Sequence, residues 1–158
     1  MGDKISQLIG LLDMSDSEVS DYNFEQEIDI FQKEHSLIIP DDLKKHFELL
    51  RGCISAYHYA TFFEFYSLLQ FQSVKDVLGN YRGVPDYHNI INTLYRHEEC
   101  YVFADYSLTV FAYAIRLNRN NELVNEIYVI CGDKYKIITN SFSEFVELYL
   151  KDDISIYL

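Results

Sequence analysis

The stretch I-I-P-D-D-L-K-K-H-F-E-L-L-R-G, residues Ile38–Gly52, predicts a short helix whose start is fixed by its own sequence. Pro40 fixes its own φ and pushes the preceding residue into an extended conformation, so any earlier element must end there. Asp41 or Asp42 can accept the first free amides of a helix, and their negative charge suits its positive end.

The apolar residues of this stretch predict how the helix packs. Leu43, Phe47 and Leu50 are spaced i, i+4 and i+7, which places them on one face directed at a core. Gly52 follows, and we expect it to end the helix because glycine adopts a left-handed conformation at little cost. The stretch thus predicts where the helix is bounded and how it packs, and it contains no motif for catalysis.

Helices are also predicted on the N-terminal side. Ile5–Leu12 and Asn23–His35 both show apolar residues at helical spacing. Between them, Asp13–Asp21 is polar and acidic, and we expect a loop.

From Ser55 onward the spacing of apolar residues changes from helical to every second residue, as in strands with one solvent-exposed face. Phe63 and Phe65 alternate with Glu64 and Tyr66, which places Glu64 on the exposed face of the predicted strand. Ser73–Leu78 resembles a short helix, Gly79–Asn89 is the clearest loop, and Ile90–Arg96 fits either a strand or a helix. Ser141-Phe142-Ser143-Glu144 has the pattern of a capping box that opens a last helix, with Asn140 as the alternative cap, and the tail Ile154–Leu158 could add a short strand. The remaining predicted strands are Tyr101–Asp105, Leu108–Leu117, Leu123–Cys131 and Tyr135–Thr139. Helices, an antiparallel meander and a closing helix predict an α+β fold.

Length and charge limit the function classes. The chain has 158 residues, enough for one domain, and its net charge is −12, with 12 acidic residues against four lysines in residues 1–50. An acidic surface argues against binding nucleic acid or anionic lipid. It favours a basic partner or simple solubility.

The cysteines and the apolar runs predict the compartment. Cys53, Cys100 and Cys131 are odd in number and far apart, as expected for reduced thiols in a cytoplasmic protein. The N-terminus is a poor signal peptide, since Asp13 soon interrupts its apolar run. No apolar run reaches membrane-spanning length, so we expect no membrane association.

No motif predicts catalysis. The five histidines form no pair at metal-ligand spacing, and no glycine pattern of a phosphate-binding loop is present. His97 and Cys100 could form a thiol dyad, but residues three apart on a strand point to opposite faces. We therefore expect no catalytic residue, no metal and no cofactor.

The 14 tyrosines suggest a binding surface, because tyrosine offers a large contact area at little cost in entropy. Several of them fall in predicted loops or on exposed strand faces: Tyr57, Tyr59, Tyr66, Tyr81 and Tyr87. Acidic groups beside tyrosines can pair with the Lys or Arg of a partner, although a solvated turn or a helix cap also explains most acidic pairs. The predicted partner-binding residues are Tyr81, Asp86 and Tyr87 in the loop, then Glu98 and Glu99, and then Asp16, Glu18 and Asp21 in the acidic segment.

Three motifs in this order resemble the SUKH superfamily, which includes fungal regulators of cell-wall synthesis and bacterial immunity proteins. The resemblance covers about Phe24–Leu150, and the chain departs from the pattern at Arg51-Gly52-Cys53, where the family usually shows Asn-Gly-Gly. The motifs are I-P-D-D-L-K-K-H-F at Ile39–Phe47, the Tyr101–Tyr106 strand followed by Tyr113–Ile115, and N-S-F-S-E-F at Asn140–Phe145.

The resemblance implies one SUKH-like domain over residues 1–158, with its core at about 24–150 and an N-terminal helix and acidic loop over 1–20. Such a domain has an antiparallel sheet flanked by helices and no catalytic activity. Bacterial members typically bind and neutralise a cognate toxin, often a nuclease, in the cytoplasm of the producing cell. The alternative is a regulatory or scaffold module that binds proteins through the same fold.

Overall fold

The structure is a computed structural model that describes residues 3–14, 22–120 and 124–158. The predicted α+β fold is confirmed, because the described residues form six α-helices and an eight-stranded antiparallel sheet. The helices are α1 Lys4–Leu11, α2 Phe24–His35, α3 Asp41–Leu50, α4 Val74–Val77, α5 Ile90–Thr93 and α6 Phe142–Leu150, with short 3-10 helices at Leu68–Gln70, His97–Glu99 and Ile154–Ile156. The strands are β1 Asp13–Met14, β2 Ser55–His58, β3 Phe63–Tyr66, β4 Gln72–Ser73, β5 Cys100–Tyr106, β6 Phe111–Arg116, β7 Ile127–Cys131 and β8 Lys134–Thr139.

The strands follow one another across the sheet almost in chain order, β1-β2-β3-β5-β6-β7-β8. The short β4 pairs with the first half of β5, on the same edge that β3 occupies at the other end of β5. A β-bulge between Val102 and Ala104 separates these two halves. An extra residue at a bulge changes which side chains share a face of the sheet.

The central helix forms where the sequence predicts it, with Leu43, Phe47 and Leu50 buried. Pro40 occupies the N-cap position, and the prediction that an aspartate accepts one of the first free amides is confirmed, since Asp42 Oδ1 accepts from the amide of Leu43 at 2.8 Å. The other oxygen of Asp42 accepts from the amide of Ser143 in α6, also at 2.8 Å. The C-terminal turn differs from the prediction.

At that turn the residue with positive φ is Arg51, at 54°, and not the glycine that follows it. The Arg51 amide donates to the carbonyl oxygens of Phe47 and Glu48, which closes the last turn of α3 around a non-glycine residue. Positive φ at such a residue is uncommon.

One face of the sheet packs against α1, α2, α3 and α6. Their buried residues and those of the sheet form the first core, which includes Phe47 of α3, Phe65 of β3, Phe103 of β5 and Phe145 of α6. The predicted cap of α6 is confirmed, since Ser141 Oγ accepts from the amide of Glu144 at 3.1 Å. This layer of helices positions the sheet and leaves its opposite face for other contacts.

The opposite face is covered over β5, β6 and β7 by residues 74–94, which form a second core with Val102, Ala112 and Ile130. None of the described residues of β2 belongs to this second core. The cover therefore ends near β3, and the β2–β3 half of this face is left open.

Two other predictions are corrected. The tail is a 3-10 helix and not a strand, and Ile156 closes the first core while its carbonyl oxygen accepts from Tyr113 Oη at 2.9 Å. Residues 108–110 form a turn before β6 because Ser107, Leu108 and Thr109 all have positive φ.

Candidate partner-binding surface

Two of the predicted residues lie together in the 79–89 loop. Tyr81 and Asp86 both line a depression of about 680 Å³, together with Arg82 and His88. Asp86 is exposed, and its carboxylate accepts from the amide of His88 at 3.0 Å. Asp86 is therefore accessible and Tyr81 is half-buried, and a partner-binding role for both stays a prediction.

Tyr87 is not available, and the expectation that it is exposed is wrong. It is fully buried in the second core, where its ring packs edge-on against Tyr81 at 5.5 Å. Its hydroxyl donates toward the carbonyl oxygens of Thr109 and Val110 at 2.8 and 3.1 Å. Tyr87 therefore fixes the cover to the β5–β6 turn.

The two glutamates of the predicted surface differ. Glu98 is exposed, whereas Glu99 is only 8% exposed and has ion pairs with Arg96 at 3.7 Å and Arg119 at 3.6 Å. Glu99 was predicted to bind a partner, but its carboxylate is buried and already paired within the chain. Asp16, Glu18 and Asp21 lie outside the described residues.

The alternative of a thiol dyad receives no support. Cys100 faces the second core, its thiol donates to the carbonyl oxygen of Arg96 at 3.6 Å, and burial raises the pKa of the thiol to about 12. A thiol that holds its proton at neutral pH is a poor nucleophile. In residues 3–14, 22–120 and 124–158, no group of three or more His, Cys, Asp or Glu side chains could hold a metal ion.

A different surface is carried by one row of residues that lie directly opposite one another across the open half of the sheet. The row runs from Asp13 of β1 to Tyr57 of β2, Glu64 of β3 and Asp105 of β5. Beyond Asp105 it continues through Ala112 of β6 into the second core. The row is thus acidic and aromatic in the open half and apolar under the cover.

Glu64 and Asp105 lie in the floor of a cleft of about 450 Å³. Its rim is formed by the β2–β3 turn and the β5–β6 turn, which are joined by a hydrogen bond from the amide of Ser107 to the carbonyl oxygen of Phe62 at 2.8 Å. We call this the Glu64–Asp105 cleft, and its lining includes Tyr57, Tyr59, Phe62, Glu64, Asp105 and Leu108.

The rim of the Glu64–Asp105 cleft is apolar and exposed. Tyr59 and Phe62 are each 68% exposed, and Leu108 is 89% exposed. The rings of Tyr57 and Tyr59 stack at 5.8 Å with an interplanar angle of 12°. Several large apolar side chains exposed at one place are typical of an interaction site.

Asp105 is a buried carboxyl group, and burial raises its pKa to about 6 despite a hydrogen bond from Tyr66 Oη at 2.7 Å. The nearby carboxylate of Glu64 adds to the increase. The amide of Thr109 also donates to Asp105, at 3.3 Å, so this carboxyl supports the β5–β6 turn. Burial also raises the pKa of Tyr66, which stays a hydrogen-bond donor at all ordinary pH values.

Sequence reasoning found part of this surface. It selected Tyr57 and Tyr59, which are exposed, and it placed Glu64 on the solvent-exposed face of its strand. Tyr66 was also expected to be exposed, but it is half-buried and its hydroxyl donates to Asp105. It did not find the pairing of Glu64 with Asp105, because strand pairing and the bulge in β5 leave no local signal.

The comparisons with known proteins identify a family. The sequence model of the SMI1 / KNR4 family (SUKH-1) matches residues 24–148, which confirms the resemblance seen in the sequence motifs. No curated protein and no solved structure matches the chain at a significant level. None of the helices in the described residues is long and apolar enough to cross a membrane.

Proposed function

The chain belongs to the SMI1 / KNR4 family (SUKH-1), and on that premise we propose that it is a bacterial immunity protein that neutralises a cognate toxin by binding it. The toxin is a polymorphic toxin of the nuclease class with a basic surface, and the complex forms in the cytoplasm of the producing cell. The protein acts without catalysis, by covering the surface that the toxin needs for its substrate.

The observation that carries this proposal is the Glu64–Asp105 cleft, with its acidic floor and exposed aromatic rim. Aromatic side chains with low conformational entropy are frequent anchors of protein interfaces. A nuclease must present cationic groups to the phosphates of its substrate. An acidic surface with aromatic anchors is complementary to such a face and can exclude nucleic acid from it.

The chain's overall charge supports the same partner class. With a net charge of −12, the protein attracts a basic domain over distances longer than a contact. Tyr81, Asp86 and Glu98 extend the proposed interface to the loop and the 3-10 helix beside the second core. Charge reversal at Asp86 and Glu98 is expected to weaken the complex, and an unchanged dissociation constant would remove these two residues from the interface.

The experiment that tests the function is co-expression with the product of the adjacent gene in a bacterial host. We expect that gene product to arrest growth alone, and we expect growth to recover and a stoichiometric complex to form when this chain is co-expressed. A matched control is a chain that carries Glu64→Lys together with Asp86→Lys. Growth arrest that continues in the presence of the intact chain would contradict the proposal.

The alternative of a regulatory or scaffold module makes a different prediction in the same cells. Affinity capture from the producing organism would then recover several housekeeping proteins and no toxin domain. Recovery of one basic toxin domain favours immunity.

A further inference from the structure

We propose that the Glu64–Asp105 cleft binds an arginine side chain of a basic protein partner, with the guanidinium between the stacked tyrosines and the two carboxylates. This inference rests on the proposed function, since it names the chemical group of the partner that the cleft takes. It concerns the open half of the sheet and not the predicted 79–89 loop.

The floor of the cleft carries two acidic side chains. Glu64 and Asp105 lie directly opposite each other on adjacent strands, and like charges in that arrangement destabilise a sheet. Neither residue takes part in any ion pair among the described residues, although seven such pairs are formed elsewhere. A cation from outside the chain would relieve this repulsion.

One side of the cleft is an aromatic wall. The parallel rings of Tyr57 and Tyr59 stand at the side of the cleft, and Tyr57 directly opposes Glu64 in the row. A guanidinium is planar, stacks on aromatic rings and donates in a fixed fork to carboxylates, whereas a lysine ammonium is a compact and strongly hydrated charge. The combination of ring face and carboxylate therefore favours arginine over lysine.

The apolar rim of the cleft favours a protein over a free small molecule or metal ion. Phe62 and Leu108 extend the apolar surface beyond the cleft into solvent, where a small cation would leave them uncovered. A guanidinium anchor surrounded by apolar contacts is a frequent arrangement at the centre of protein interfaces. The occupant is thus an arginine on a protein surface with apolar neighbours.

The test is a titration of the isotopically labelled full chain with N-acetyl-arginine amide, followed by NMR chemical shifts. Its uncharged analogue N-acetyl-citrulline amide is the ligand control. We expect saturable shifts at the amides of Tyr57, Glu64 and Asp105 with the arginine compound, and binding about tenfold weaker with the citrulline compound. Equal binding of the two compounds, or no saturable shift at these amides, would overturn the proposal.

Two variants test the carboxylates. Glu64→Gln and Asp105→Asn are each expected to weaken arginine binding about tenfold, whereas Glu34→Gln on the exposed surface of α2 leaves it unchanged. Asp105→Asn keeps groups that can bond to Tyr66 and Thr109 and removes a buried charge. We therefore expect its melting temperature to be no lower than that of the parent, so lost binding would not reflect unfolding. Unchanged arginine binding in both variants would refute the carboxylate role.

The two proposals can fail separately. If co-expression rescues growth but Glu64→Gln binds the toxin as tightly as the parent does, the arginine site is wrong and the immunity function stands. If arginine binds in the cleft but no toxin partner is neutralised, the cleft is a protein-binding site and the immunity function is wrong.

Discussion

His46 lies on α3 with its ring buried in the first core, 4.9 Å from the ring of Phe142 and 5.9 Å from that of Phe65. Burial lowers its pKa from the ordinary value of 6.5 to about 3, and the backbone of Tyr66 offsets only part of this effect. Between these values the unfolded chain binds a proton that the folded chain does not. His46 is therefore expected to lower the free energy of unfolding as the pH falls below 6.5, by up to about 1.4 kcal/mol per pH unit.

The measurement is urea unfolding at a series of pH values between about 4.5 and 7.5. His46→Leu removes this titration. In this variant we expect the slope of the free energy of unfolding against pH to fall by an amount that corresponds to about one bound proton. His88→Leu, on the exposed loop, is the matched control and keeps the slope of the parent. A parent and a His46→Leu variant with the same slope would show that His46 does not contribute to acid sensitivity.

At the scale of the elements, Asp42 joins the start of α3 to the start of α6. Its carboxylate accepts from the amide of Ser143 at 2.8 Å and from its hydroxyl at 2.9 Å, across 101 residues of sequence. A carboxylate near the first turn of a helix satisfies a free amide and interacts well with the helix dipole. We expect Asp42→Ala to lower the free energy of unfolding by about 1–2 kcal/mol.

Asp41 is the matched control for this prediction. Its side chain is fully exposed and lies 4.0 Å from Lys44, an arrangement that contributes little. Asp41→Ala should change the free energy of unfolding by less than about 0.5 kcal/mol, measured by the same urea titration. Equal losses in the two variants would mean that the link between α3 and α6 has no energetic importance.

The elements also mark how far the sequence alone can predict this protein. Apolar stripes predicted α1, α2, α3 and α6, because a helix buries residues at a fixed spacing that can be read locally. Alternation fails in β5: with a period of two, Asp105 would share the face of Phe103 in the first core. The bulge after Val102 turns Asp105 to the opposite face, and bulges depend on the partner strand.

The candidate site depended on the same nonlocal information. Tyr87 belongs to a loop rich in turn residues, so its composition predicted exposure, yet it inserts below that loop and bonds to the β5–β6 turn. Glu64 could be assigned to a wet face, but only strand pairing places it opposite Asp105. Tertiary contacts between distant segments decided these positions, whereas local propensity decided the helices.

At the scale of the whole molecule, charge and shape act at different distances. In the proposed complex, the net charge of −12 would attract a basic partner before contact, and the Glu64–Asp105 cleft would act only after contact, once water is excluded. Long-range attraction is screened by salt, since the Debye length falls from about 10 Å at 0.1 M to about 3 Å at 1 M ionic strength. Short-range contacts in a cleft from which water is excluded are screened much less by salt.

This separation predicts which rate constant salt will change. Between about 20 mM and about 500 mM NaCl, we expect the association rate constant with the toxin to fall about tenfold or more, while the dissociation rate constant changes by less than about threefold.

Neutralising Asp29 and Glu34 on the exposed side of α2 should reduce the salt dependence of association and leave dissociation unchanged. Glu64→Gln should mainly raise the dissociation rate constant, because it removes a contact inside the cleft. Stopped-flow association and surface-based dissociation measurements on the same complex give both constants. An association rate constant that does not vary with salt would exclude steering by net charge and would leave the cleft as the source of affinity.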